Sequence, residues 1–157
     1  MSTRLTDRGV PMRDSQSLQL VFMASQLEST ITTYVTDQLY QKGYMAITPA
    51  LLSFLSALDC GINYGSEIAR SMGVSRQFVG RTVKELSEVG YLEQREGVGK
   101  QKQILFTEKG EHLISDSRQI LADLDEVFYK ALGQKSVEKT IGNLANLHTI
   151  FTQLEQK

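Results

Sequence analysis

GSEIARSMGVSRQFVGRTVKELSEVGYLEQRE, residues 65–96, decides the fold of this 157-residue chain. Two short helical stretches lie on either side of Gly73-Val74-Ser75. In the first, from about Tyr64 to Met72, the apolar residues Ile68, Ala69 and Met72 fall on one side, and Asn63 or Ser66 is expected to cap it. Ser75 is expected to cap the second, which runs to about Val89 and turns Val79, Val83 and Leu86 inward, with Thr82 alongside. Helix, tight glycine-containing turn, helix is the signature of a helix-turn-helix, though many helical pairs share it. Gly90 ends the second helix, and the segment after it makes the pattern more specific. Residues 91–95 and 103–107 have the length and partial alternation of strands. Between them lies the glycine-containing turn Glu96-Gly97-Val98-Gly99-Lys100-Gln101-Lys102. A β-hairpin set directly after a helix-turn-helix is a wing.

Outward from this segment the pattern is helical. Toward the N-terminus, Thr48-Pro49 reads as a cap followed by proline at the first helical position, opening a helix through Leu51, Phe54, Leu55 and Leu58 that stops near Cys60-Gly61. Before it, Leu20, Met23, Leu27, Ile31, Tyr34 and Val35 recur at three and four in one long helix, with Gly43 as its stop. Residues 1–14 are polar and aperiodic, with the character of a flexible arm. Toward the C-terminus, helical periodicity returns from Glu108 to about Lys130, and a last helix after Gly133 carries Val137, Ile141, Leu144, Leu147, His148, Phe151 and Leu154. The expected architecture is mainly α with a small β-hairpin wing. Residues 47–110 form the winged helix-turn-helix, and long helices over 15–43 and 111–157 flank it as a dimerisation region.

Charge is informative only locally. Seventeen basic residues against eighteen acidic ones give a net charge of −1, yet residues 70–102 hold seven basic side chains against four acidic ones. A local patch, and not the total, meets phosphates. With Val79, Val83 and Leu86 inward, the second helix turns Arg76, Gln77, Gly80, Arg81 and Lys84 outward. Its N-terminal half is the part that faces bases in a major groove, so Arg76, Gln77 and Arg81 are the candidates for base edges. Ser75, Lys84, Lys100 and Lys102 are placed for phosphates, which position a protein without reading sequence. Gly80 would let the helix approach the groove closely. The plainer account is a solvated face in which Arg81 pairs with Glu85 and Lys84 with Glu88, each four residues on.

Other chemistry finds little support. GVGK at 97–100 lacks the remaining glycine and the Ser or Thr of a phosphate-binding loop. His112 and His148 stand far apart, with no cysteine or carboxylate at ligand spacing, so neither a metal nor a cofactor is expected. No segment arranges Ser75, His112 and a carboxylate as a triad, and no catalytic residue is assigned. Cys60, the single cysteine, excludes a disulfide framework and reads as a packed thiol in a chain of the reducing cytoplasm. His148 reads as a buried core or interface histidine. No apolar run is long enough to span a membrane, and the start lacks the apolar stretch of a signal peptide. Both terminal helices carry apolar residues on more than one face, which points to a two-fold seam with a second copy. The competing reading is a winged module that binds a protein instead of DNA; the outward Arg76, Arg81 and Lys84 argue against it.

The stretches ITPALLSFLSAL (47–58), residues 65–96 and ILFTEKGEHL (104–113) together resemble the MarR family of bacterial and archaeal regulators. The resemblance runs from about Leu18 to the end and is strongest over 47–113. It implies a homodimer with interlocked terminal helices, each subunit's winged domain reading half of a pseudo-palindromic operator, as a repressor. It also implies release by a small phenolic or lipophilic effector in a cleft beneath the seam, for which Phe22, Tyr34, Phe54 and Tyr64 are the candidate lining. Two departures stand out. The family's wing carries an Asp two residues before an Arg, where this chain has Val98 and Lys100. The cysteine that peroxide-sensing members carry near the start of the first helix is missing.

Overall fold

The computed structural model describes residues 15–155; the expected N-terminal arm lies outside the described residues. The elements run α1 (Gln16–Gln41), α2 (Pro49–Asp59), α3 (Gly65–Met72), α4 (Arg76–Glu88), β1 (Leu92–Glu96), β2 (Lys102–Phe106), α5 (Glu108–Leu132) and α6 (Gln134–Glu155). The chain is mainly helical, with one antiparallel hairpin, as expected.

Local chemistry starts most of these helices. Ser15, Thr48, Ser75 and Thr107 each accept a hydrogen bond from the backbone N–H three residues on, and Pro49 occupies the first turn of α2. Each such cap satisfies a donor that the helix cannot, worth about 1 kcal/mol. α3 differs from the expectation. Its cap is Tyr64, with no side-chain hydrogen bond, and neither Asn63 nor Ser66 serves. The reason is tertiary: the Asn63 carbonyl accepts from the Ile104 N–H at 2.8 Å, and Tyr64 bridges to Gln103. This corner of the chain is recruited as a third edge of the wing.

The ladder is shifted one residue toward the turn from the expected strands: its outer ends fall at Leu92 and Phe106, and its turn-side ends at Glu96 and Lys102. Tyr91 is fully buried, closes α4 through its N–H to the Leu86 carbonyl, and donates its hydroxyl to the Met45 carbonyl. Thr107 donates to the Gly90 carbonyl while capping α5. Both residues belong to the helix ends, leaving Leu92 opposite Phe106 and Glu96 opposite Lys102 as the limits of the ladder.

One core joins the C-terminal part of α1 (Val35, Leu39), α2 (Phe54, Leu55), α3 (Ile68), α4 (Val79, Val83, Leu86), the wing's base (Leu92, Ile104) and the first half of α5 (Leu113, Ile120). α6 contributes no buried residue. His148 is accordingly exposed in the single chain, which leaves the expected core role unfilled. Cys60 is a second correction. It is exposed, because the buried stripe of α2 ends at Leu58 and the cap turns at the surface. No helix among the described residues is long and apolar enough to cross a membrane.

Candidate nucleic-acid interface

The turn between α3 and α4 sets the geometry. Gly73 takes a left-handed conformation, φ +65°, that suits glycine, and the Val74 N–H returns to the Ala69 carbonyl. The chain then enters α4 at Ser75, whose hydroxyl accepts from the Phe78 N–H at 3.1 Å. That hydroxyl keeps its own proton free to donate. α4 has thirteen residues, so it is about 20 Å long, and a B-form major groove admits a helix of this kind.

The two faces of α4 separate cleanly. Val79, Thr82, Val83 and Leu86 are buried, while Arg76, Gln77, Gly80, Arg81 and Lys84 are exposed. Among the described residues Arg76, Arg81, Lys100 and Lys102 form no ion pair. The pairing of Arg81 with Glu85 does not form. Lys84 does approach Glu88, at 3.9 Å with both side chains largely exposed, a contact too solvated to hold the ammonium back from phosphate. Gly80 carries a further clue. A Cβ built there meets nothing within 4 Å, so packing inside the chain gives no reason for glycine in mid-helix. A close approach from outside does.

Beside this face the wing closes a trough of about 410 Å³, whose lining includes Ser66, Arg76, Gln94, Lys100, Gln101 and Lys102. Lys100 lies in the exposed turn, and Lys102 opens β2. Val98, at the tip, is 82% exposed, while Arg95 is engaged by Glu93 at 2.6 Å. Ser66, Gln94 and Gln101 are absent from the sequence-based candidates, which cover only the cap and outer face of α4 and the lysines of the wing. Strand alternation offers a signal for Gln94: counted from buried Leu92, it points toward the helices.

The four aromatic candidates do not converge within one chain. Phe22 and Tyr34 are exposed on α1, twelve residues apart and so about 18 Å along the helix axis. Phe54 is wholly buried in the core, and Tyr64 lies half-buried under the wing, its ring beside Gly97. No group of His, Cys, Asp and Glu among the described residues is arranged to hold a metal.

A second polar cluster lies where the long helices meet the winged segment. Asp116 on α5 accepts from the Tyr44 hydroxyl at 2.7 Å and from the Lys42 ammonium at 3.2 Å. The Tyr44 hydrogen bond, helped by Lys42, holds the Asp116 carboxyl below its ordinary value. Burial, then Asp116 itself, pushes Tyr44 up to about 12.

No protein-family model and no curated protein sequence matches the chain. Solved structures do match. A MarR transcriptional regulator from Methanosarcina mazei Go1 aligns over 91% of this chain and 94% of its own, at 12% identity and TM-score 0.69. Wild-type apo MarR from E. coli aligns over 87% and 98%, at 17% identity and TM-score 0.67. MepR, a transcription regulator of the Staphylococcus aureus multidrug efflux pump MepA, aligns over 88% and 99%, at 15% identity and TM-score 0.64. The chain therefore has the fold of the MarR-type winged-helix regulators over nearly its whole described length.

Proposed function

We propose that this chain is a MarR-type transcriptional regulator, a repressor that binds a pseudo-palindromic DNA operator as a homodimer. The observation that carries the reading is the outer face of α4: Arg76, Gln77 and Arg81 exposed, the two arginines unpaired, around a glycine that no packing explains. Arginine presents two parallel donors and glutamine a donor beside an acceptor, both suited to reading base edges, each contact worth about 1–3 kcal/mol of discrimination. Ser75, Lys84, Lys100 and Lys102 surround that face with donors suited to phosphate. The apolar side chains left exposed on α1 and α6 support a two-fold partner, which would set two recognition helices about one DNA turn apart. Release by a small aromatic effector belongs to the same reading. Phe22 and Tyr34 would face it at the seam, and Phe54 would contribute only from the core beneath.

The test is selection of duplexes from a random pool by the purified protein, followed by salt-dependent binding to the selected sequence with Arg81→Ala beside it. Selection of a two-fold sequence, with discrimination reduced about 10- to 100-fold by the substitution, supports the assignment. Failure to enrich any sequence, with binding indifferent to Arg81, would leave a winged protein-interaction module as the better reading.

A further inference from the structure

Charge does not tie down the turn of the wing: among the described residues Lys100 and Lys102 form no ion pair, and Val98 stands exposed at the tip. A two-stranded hairpin alone is marginal, so something else must fix its angle against the helices. Three contacts converge on one corner of the chain. Tyr64 bridges to Gln103 of β2, and its neighbour Asn63 accepts from the Ile104 N–H. The Tyr64 ring lies against Gly97 so closely that a Cβ built there would sit 2.8 Å from Cε1 of the ring. The same Cβ would be 2.6 Å from the Gln101 carbonyl oxygen, which accepts the Gly97 N–H at 3.1 Å and closes the turn. Gly97 therefore has no side chain for a steric reason: the aromatic edge and the turn's backbone occupy the space.

We propose that Tyr64 is the positioning residue of the wing, its ring seated on Gly97 as a strut that holds Lys100 and Lys102 toward the trough beside α4. Leu92 and Ile104 hold the base of the hairpin in the core, and this contact braces it nearer the turn, so the lysines keep a fixed place relative to Arg76 on the trough's other wall. The ring and not its hydroxyl does this, since the contact is made by a carbon edge. For DNA the proposal rests on the functional reading above, but the strut itself is measurable in the free protein.

The experiment compares wild type with Tyr64→Phe, Tyr64→Ala and Gly97→Ala, by amide hydrogen exchange in the free protein and by salt-dependent binding to the duplex selected by wild type. Tyr64→Phe is expected to match wild type in both. Tyr64→Ala and Gly97→Ala are expected to speed exchange at Gly97, Gln101 and Ile104 about tenfold or more, while amides of α4 such as Val83 and Leu86 stay slow. In binding, both are expected to lower the salt slope by about 0.9 for each phosphate that the wing no longer neutralises, with base preference kept. Should Tyr64→Ala fail to fold, Tyr64→Leu removes the ring edge over Gly97 while keeping an apolar side chain in its place, and the same exchange pattern is expected of it. Unchanged exchange in the wing overturns the strut, as does damage from Tyr64→Phe equal to that from Tyr64→Ala. A wild type that selects no duplex removes the DNA reading, and the exchange result still decides the strut.

Discussion

The winged segment and the terminal helices spend their apolar residues in opposite ways. From Leu51 to Ile104 the apolar stripes close on one another, and charge is left on the outside. In the first half of α1 and along α6 the apolar side chains are themselves outside: Leu18 is 70% exposed, Phe22 59% and Phe151 61%. Single exposed apolar residues are ordinary, but contiguous ones on two long helices are not. One region is finished by its own chain, and the other has the composition of an interior without having one.

The largest expected effect is on the unfinished region. Phe151→Glu sets a charge on the face of α6 assigned to the seam, and sedimentation equilibrium should show a dimer becoming a monomer. Affinity for the selected duplex should fall by about 100-fold or more, because linked half-site readers gain that much from each other. If Phe151→Glu remains a dimer with unaltered affinity, α6 is not the seam. The contrast would then need another partner for that face.

The same contrast explains what could be read from the sequence. Residues 65–96 were legible because local rules and burial agree there: Ser75 caps, Gly73 turns, and Val79, Val83 and Leu86 repeat at helical spacing. The outward set Arg76, Gln77 and Arg81 followed from that stripe by geometry. Asn63 and Tyr64 were not legible. Asn63 has the chemistry of a cap, but its carbonyl is drawn to β2, forty-one residues away in sequence, and no local pattern announces such a pairing. The exposure of Cys60 has a related cause: it follows directly on a buried helix, yet α2 ends its apolar stripe at Leu58 and the cap turns at the surface. The aromatic set Phe22, Tyr34, Phe54 and Tyr64 shared residue type but not location, and type alone cannot assemble a pocket.

A smaller effect sharpens the comparison within the finished region. Gly80 is the one place on α4 where stability and the proposed function pull apart. Alanine there adds a side chain into open space and removes a flexible residue from mid-helix, which should stabilise the fold by about 0.5–1 kcal/mol. Affinity for the selected duplex should nevertheless drop, because the added methyl stands between the helix and the groove. Denaturant unfolding and binding of Gly80→Ala together provide the check. A variant both more stable and equally tight would mean that this face never comes close to DNA.

The smallest expected effect lies at the joint between the two regions, where Lys42 and Tyr44 meet Asp116. The folded Asp116 carboxyl titrates below its ordinary 3.8, chiefly through the Tyr44 hydrogen bond. A depressed carboxyl stabilises the fold above its unfolded value, and that contribution is lost as pH falls through the folded one. Tyr44 runs the other way. Burial raises it to about 12, so its contribution is full below 10 and lost as pH climbs from 10 toward 12. Urea midpoints of wild type and Asp116→Asn should thus differ most near neutral pH and converge on the acid side below the ordinary carboxyl range. Tyr44→Phe should flatten both limbs, since it removes the titrating phenol and the hydrogen bond that depresses the acid. The ion pair with Lys42 adds little, because both side chains are at least a third exposed. Parallel pH profiles for wild type and Asp116→Asn would show that the core contacts of α1 and α5, through Val35, Leu39, Leu113 and Ile120, hold this joint with the polar cluster bystanding.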